Sequence, residues 1–299
     1  PKSIIIGTRG SELALWQAHH IEQRLISAGH TVEIKIIKTK GDKIQHLSFD
    51  KIEGKGFFTK ELQDALLAEE IDMAVHSHKD LETTQPDGLT IAAVTSREEP
   101  NEVLLIKSAS HHPQETLELP PNAVVGTSSI RRKMILGHVR PDLHFEDLRG
   151  NVPTRIQKLR DNNWDAIVLA KAGLNRIAPD LSGIHAITLD ATSFVPAPAQ
   201  GALALECRTN DLVMREILAL LHDEQTATAV EIERSILRGI GGGCQVPLAS
   251  HAFNHAGTWQ VHTSFTNSLD QAMQRIVVSG DLPEQLVQQT LAKLQIERQ

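Results

Sequence analysis

Short apolar runs that end in glycine or serine, each followed by a longer stretch with helical spacing, set the rhythm of the first half of the chain. "SIIIG" reads as a strand, "TRGS" as a turn, and "ELALWQAHHIEQRLISAG" as a helix whose stripe is Leu13, Trp16, His20, Ile21 and Leu25, with Ser11 as its N-cap. "HTVEIKIIKT" alternates as a strand does, "FTKELQDALLAEE" has helical spacing, and "IDMAVHS" is a short buried strand. Strands that alternate with helices predict an α/β lobe. A related order starts again near residue 122: "NAVVGTSS" parallels "SIIIGTRGS", "LHFEDLRGN" parallels "IKIIKTKGD", and "WDAIVLAKAGL" parallels "IDMAVHSHKDL". Two similar α/β lobes are therefore expected. "SFVPAPAQGALALEC" reads as a return crossing, because Pro196 and Pro198 exclude a helix while "GALALEC" suits a strand. From about residue 222 a helix, "TATAVEIERSILRGI", leads into a glycine run. Three alternating strands and an amphipathic helix, "PEQLVQQTLAKLQIE", then predict a small third α+β domain.

At 299 residues, 40% hydrophobic and 22% charged, the chain is long enough for two or three domains with cores of their own. A formal charge of −7 argues against a general nucleic-acid binder, so any cationic site must be local. No apolar run reaches bilayer length, and the apolar part of "PKSIIIGTRG" is too short for a signal peptide, so neither a membrane nor a nucleic-acid partner is expected and the expected location is cytoplasmic. Cys207 and Cys244 form neither a disulfide framework nor a CxxC pattern, which agrees with a reducing compartment.

The chemistry-bearing residues gather where strands are predicted to end. "GTSSIRRK" puts Thr127, Ser128 and Ser129 at a strand-to-helix junction with Arg131 and Arg132 directly behind. Unpaired backbone amides and the positive helix end favour an anion there, although a capped helix with two solvated arginines would read the same. Arg149, Arg155 and Arg176 each follow a predicted strand or open a helix, and Arg9 holds the corresponding place in the first lobe. Several guanidiniums suit a polycarboxylate, each held carboxylate contributing about 1.5–3 kcal/mol. Phosphate competes as a ligand class, but neither nucleotide fingerprint fits the glycine-rich stretches. Lys79 and Asp80 close a predicted buried strand; they are either a surface ion pair or a carboxylate fixed in a low-dielectric crevice, able to stabilise a developing cation. His76 and His78 form an HxH pattern that alternation would aim to one strand face, yet no third ligand has metal spacing and no metal is expected. Lys55 between Gly54 and Gly56 marks a basic loop, either solvated or closing over an anion. Cys244 follows Gly241, Gly242 and Gly243; a packing cysteine gains nothing from such a backbone, whereas a thiol that must be reached does. Cys207, inside "GALALECR", reads as a core residue.

Taken in chain order, "TRGSELALWQA", "KTKGDK", "GKGFFTKELQDALL", "DMAVHSHKDL", "VVGTSSIRRK", "DLRGNVPTRIQKL", "DAIVLAKAGLNRI", "PAPAQGALALECR" and "GGGCQVPLAS" resemble the porphobilinogen deaminase (hydroxymethylbilane synthase) family over essentially the whole chain. The resemblance implies an α/β enzyme of tetrapyrrole (haem, porphyrin) biosynthesis. Its two lobes would be doubly wound like periplasmic binding proteins, with domain 1 at 1–97 and 199–218, domain 2 at 102–194, and a small C-terminal α+β domain at 222–299. It implies head-to-tail condensation of four porphobilinogen molecules with loss of ammonia, then hydrolytic release of hydroxymethylbilane. Cys244 would hold a dipyrromethane primer through a thioether, and Asp80 would be the catalytic carboxylate. Arg9, Ser11, Lys79, Thr127, Ser129, Arg131, Arg132, Arg149, Arg155 and Arg176 match positions that bind acetate and propionate groups of primer and growing oligopyrrole. Lys55 would fall on a lid, Gln200 on the interdomain crossing, and a monomer is expected.

Four stretches depart from the family pattern. "KDLETT" lacks the proline of "KDLPT", "PAPAQGA" replaces "PAVGQGA", "GGGC" replaces "EGGC", and "GLNR" replaces "GLKR". None removes the thiol, the carboxylate or the main arginines. A two-lobed anion-binding or sensor protein without catalysis is the alternative, and it requires neither Cys244 nor Asp80. A different cysteine-dependent transferase or hydrolase lacks any visible His and Asn placement.

Overall fold

The computed structural model describes residues 3–38, 59–242 and 246–296. β1 (Ile4–Thr8), β-branched at every position but Gly7, leads through Arg9, Gly10 and the N-cap Ser11 into α1 (Glu12–Ser27). Gly7 leaves room for a neighbour, since a Cβ there would come within 2.2 Å of Cδ1 of the buried Ile71 and force that side chain to shift. The buried stripe of α1 is Gln17, Ala18, Ile21 and Leu25. Trp16 and His20, expected in that stripe, are exposed and stack on each other with ring centroids 5.2 Å apart. The row 14–17–18–21–25 faces the sheet, and the i, i+4 pair at 16 and 20 falls just outside it. β2 (Val32–Ile36), α2 (Lys60–Leu67) and β3 (Met73–Ser77) follow as expected, and β4 (Leu89–Val94) comes where no element is predicted.

A second lobe repeats the alternation: β5 (Glu102–Lys107), β6 (Val124–Gly126), α3 (Ile130–Val139), β7 (His144–Glu146), α4 (Val152–Asp161), β8 (Ala166–Ala170), α5 (Lys171–Ile177) and β9 (Ile184–Thr188). Its sheet runs β7-β6-β8-β5-β9, with β7, β6 and β8 parallel and β5 antiparallel to both neighbours. Both faces are covered. Leu104 and Ile106 of β5 join Met134 and Ile135 of α3 in one core, and Val103 and Leu105 join Ile156 and Leu159 of α4 in the other. A strand buried on both sides carries an unbroken apolar run rather than an alternating one, which is why "EVLLI" gives no period-two signal.

The chain then returns to the first sheet as β10 (Leu203–Arg208), which lies antiparallel between β3 and β4 in the order β2-β1-β3-β10-β4. The predicted return crossing and strand are thus found at "PAPAQGALALEC". Ala199 takes a left-handed φ of 62°, while its amide donates to the Glu233 carboxylate at 2.6 Å and the residue is fully buried. Gly201 is required, because its φ is 92° and a Cβ would sit 2.4 Å from the Glu98 carbonyl oxygen. α6 (Leu212–Ala219) is capped by Asp211, and α7 (Glu224–Gly239) follows. β11 (Leu248–His255), β12 (Thr258–Phe265) and β13 (Gln274–Gly280) form an antiparallel meander, over which α8 (Pro283–Lys293) packs. Ile232 and Ile236 of α7, Val261, Phe265 and Leu286 form its core. The chain divides into two compact units, Pro1–Glu98 with Gly201–Ala227, and Glu99–Gln200 with Thr228–Gln299. The C-terminal meander belongs with the middle lobe. Among the described residues no helix is long and apolar enough to cross a membrane.

Cys207 lies in the first core, fully buried, and desolvation is the main cause that pushes its thiol up to about 11. Only the thiolate attacks alkylating reagents. In native protein at neutral pH, Cys207 should therefore resist iodoacetamide and react once the chain is unfolded, as peptide mass analysis would read directly.

Candidate active site

In the first unit the ends of β1 and β3 lie side by side, because these strands are parallel with Ile6 opposite Met73. Beyond β1, Arg9 and Ser11 lead into α1, and the Ser11 hydroxyl caps that helix by accepting from the Ala14 amide at 3.4 Å. Beyond β3 a 3-10 turn, His78–Asp80, carries Lys79 and Asp80. Arg9, Ser11, Gln17, Thr59, His76, Ser77 and Asp80 line one cleft of about 80 Å³. A cation, the positive end of a 16-residue helix and a carboxylate thus share a single small space.

The floor of this cleft is held by a buried polar network. Gln17 Nε2 donates to the Ser77 hydroxyl at 2.9 Å. His76 Nε2 lies 2.9 Å from Glu206 Oε2, and Gln63 Nε2 donates to Glu206 Oε1 at 3.0 Å. Both His76 and Glu206 are buried. β3 ends at Ser77, so His76 points to Glu206 while His78 enters the 3-10 turn; the two imidazoles do not share a strand face as alternation suggested. A lone charge in the apolar strand "LALEC" was the visible sign of Glu206. Asp80 itself is exposed and Lys79 half-buried, so the carboxylate stands at the open mouth of the cleft rather than in a low-dielectric interior.

In the second unit three helices start where three parallel strands end: α3 after β6, α4 after β7 and α5 after β8. Ser129 caps α3, accepting from the Arg132 amide at 3.4 Å, and its own amide donates to the Thr127 hydroxyl at 3.2 Å. Asn151 caps α4 by accepting from the Thr154 amide at 2.9 Å. Gly150, with φ of 119°, permits that start, since a Cβ would lie 2.7 Å from Thr154 Cγ2. Arg149, Arg155 and Arg176 are half-buried, and Arg155 Nε donates to the Gly150 carbonyl at 2.7 Å. Ten-residue helices α3 and α4 both direct amide donors to this sheet edge.

Arg131 and Arg132 differ from the other arginines. Both turn into the protein toward Glu102, whose carboxylate is fully buried. Arg131 Nη2 reaches Glu102 Oε1 at 2.5 Å, and Arg132 Nε and Nη2 reach Oε1 and Oε2 at 3.1 and 2.8 Å. Arg132 also donates to the Val168 carbonyl at 2.8 Å. Burial pulls the Arg131 guanidinium below its ordinary value, and Glu102 acts against that. Glu102 has no sequence signal of its own, because it opens a strand that the pattern does not reveal.

Gln200 is buried and donates to the Pro100 carbonyl at 2.7 Å. Lys55 and Cys244, expected on a lid and as the attachment point, lie outside the described residues.

The family profile described as "Porphobilinogen deaminase, dipyromethane cofactor binding domain" matches residues 4–216. The porphobilinogen deaminase of a Nitratiruptor species is 50% identical over 250 residues, 83% of this chain and 78% of that protein. That of Sulfurimonas denitrificans is 46% identical over 253 residues, 84% of this chain and 79% of that protein. The Geobacillus kaustophilus protein of the same name is 42% identical over 295 residues, 98% of this chain and 94% of that protein. A profile spanning more than half of the sequence, and relatives this similar along most of their own length, establish that the chain belongs to the porphobilinogen deaminase family.

Proposed function

We propose that this enzyme joins four porphobilinogen molecules head to tail, releasing ammonia at each step, on a dipyrromethane primer attached to Cys244, and then frees hydroxymethylbilane by hydrolysis. That it is an enzyme of tetrapyrrole biosynthesis acting on porphobilinogen follows from its family. The observation that carries the finer reading is the cleft where Arg9, Ser11 and Asp80 meet. Porphobilinogen bears two carboxylates and an aminomethyl group. Arg9 and the start of α1 suit a carboxylate, and Asp80 suits the cation left behind as the amine departs.

The donor chemistry of the second unit also fits the primer. Arg149, Arg155 and Arg176, together with the starts of α3 and α4, match the carboxylates of a dipyrromethane, each able to take charge-assisted hydrogen bonds. When bound, the dipyrromethane supplies the nucleophilic pyrrole carbon for chain growth. The protein's own residues bind carboxylates, hold Asp80 near the reacting centre and provide the Cys244 sulfur. The same reading gives doubly wound lobes, a C-terminal domain distinguished by its own three-stranded sheet and core within the second compact unit, and a monomer.

Intact-protein mass tests it. The purified chain should exceed its polypeptide mass by two linked pyrrole units, and Cys244→Ser should weigh its bare sequence and consume no porphobilinogen. A wild-type chain at bare mass after incubation with porphobilinogen would refute attachment at Cys244.

A further inference from the structure

Away from the anion-binding edge, three side chains in the second unit converge without any part in the chemistry above. His111 Nε2 lies 2.5 Å from Glu118 Oε2, and His185 Nε2 lies 3.1 Å from the same oxygen. The imidazoles stack with centroids 3.8 Å apart and planes inclined by 22°. One nitrogen from each ring and a carboxylate oxygen therefore lie within 4.8 Å of one another. We propose that His111, Glu118 and His185 bind a divalent transition metal, with zinc the best match and water completing the shell.

The donor set argues for the metal class. Two imidazoles and one carboxylate suit zinc, whereas calcium and magnesium take oxygen ligands. Bond lengths of about 2.0–2.1 Å put tetrahedral ligand atoms roughly 3.3–3.4 Å apart. The His185–Glu118 separation of 3.1 Å is near that value, and the His111–Glu118 contact of 2.5 Å must open by roughly 0.8 Å for the ion to take the central position. The three side chains are accessible, at 24%, 34% and 43% exposure, so the ion has a path in.

The backbone holds the ligands in place. His111 follows a 3-10 turn, Ser108–Ser110, that leaves β5. The loop folds back so that the His112 amide donates to the Glu118 carbonyl at 2.9 Å, and the Glu118 amide donates to the Glu115 carbonyl at 2.8 Å. His185 sits on β9, the edge strand, opposite Ile106. Ile106 also faces Ala166, the first residue of β8, which places the triad at the end of the sheet opposite the helix starts and arginines. A bound ion would clip the outermost strand to the loop 108–118 and take no part in pyrrole chemistry.

Zinc chloride titrated into untagged, chelator-treated protein near neutral pH should show one site per chain by calorimetry, and cobalt in its place should give the visible absorption of a tetrahedral complex. His111→Ala and His185→Ala should each weaken zinc binding by roughly 100-fold or more, since even losing a supporting partner of a ligand costs 10–100-fold. His144→Ala, an exposed histidine in the same lobe, should bind as the wild type does. Zinc should also raise the melting temperature of the wild type and leave that of Glu118→Gln unmoved, a comparison that does not depend on how well the alanine variants fold. Equal zinc affinity in wild type and both alanine variants, or no one-to-one binding by the wild type, would overturn the site.

Discussion

Asp80→Asn is expected to lower the rate of ammonia release from porphobilinogen by about 10²–10³-fold at saturating substrate, the range seen when one preorganised electrostatic partner of a transition state is removed. The amide keeps the size of the side chain, so the 3-10 turn and the cleft walls should stay as they are. On the proposed mechanism, what disappears is the negative charge offered to the cation that forms as the carbon–nitrogen bond breaks. Carboxylate binding is proposed for Arg9 and the start of α1, which line the same cleft and are untouched by the substitution, so KM should move far less than kcat. The mass excess on Cys244 should remain. Because Asp80 stands at an exposed mouth, water can replace part of its effect, which sets the expectation below the largest single-residue losses known for buried groups. Ammonia release measured in steady state decides the matter; an unchanged kcat would take Asp80 out of the mechanism.

Glu102→Ala should cost about 3–5 kcal/mol of folding stability, the usual consequence of removing one partner from a buried ion pair. Glu102 is fully buried and receives three hydrogen bonds from the Arg131 and Arg132 guanidiniums, both nearly buried themselves. Alanine would leave two positive charges next to each other without the carboxylate between them. Against a total stability of roughly 5–15 kcal/mol for a domain, that is a large fraction. Urea unfolding followed by circular dichroism should show a markedly lower midpoint, with Glu102→Gln between alanine and wild type because its amide oxygen still accepts. A loss under about 1 kcal/mol would mean that solvent already screens these arginines, contrary to their burial.

Local signals were readable where one residue controls the backbone. Ser11 and Ser129 announced helix starts through their caps, and Pro196 and Pro198 before "GALALEC" announced the return strand. β5 was opaque because both its faces are buried, and β9 because its five residues carry no strong pattern. Trp16 misled, since a large apolar side chain was assigned to a stripe that lies one row away. The arginines proposed to bind carboxylates were visible one by one, at the ends of predicted strands. That Arg131 and Arg132 meet Glu102 was not visible, for the pairing spans 29 and 30 positions and depends on sheet register. The same holds for His111 and His185, which only the β5–β9 pairing brings together.

Strand β10 lies inside its sheet, with β3 on one side and β4 on the other. During synthesis, then, the amino-terminal lobe lacks an interior strand until residues 203–208 have left the ribosome. The five strands of the middle lobe all fall between residues 102 and 188, so that lobe holds every strand it needs first. Of these two lobes, the one translated first is thus the one completed later, and until then the facing edges of β3 and β4 are open to mispairing or to capture by a chaperone.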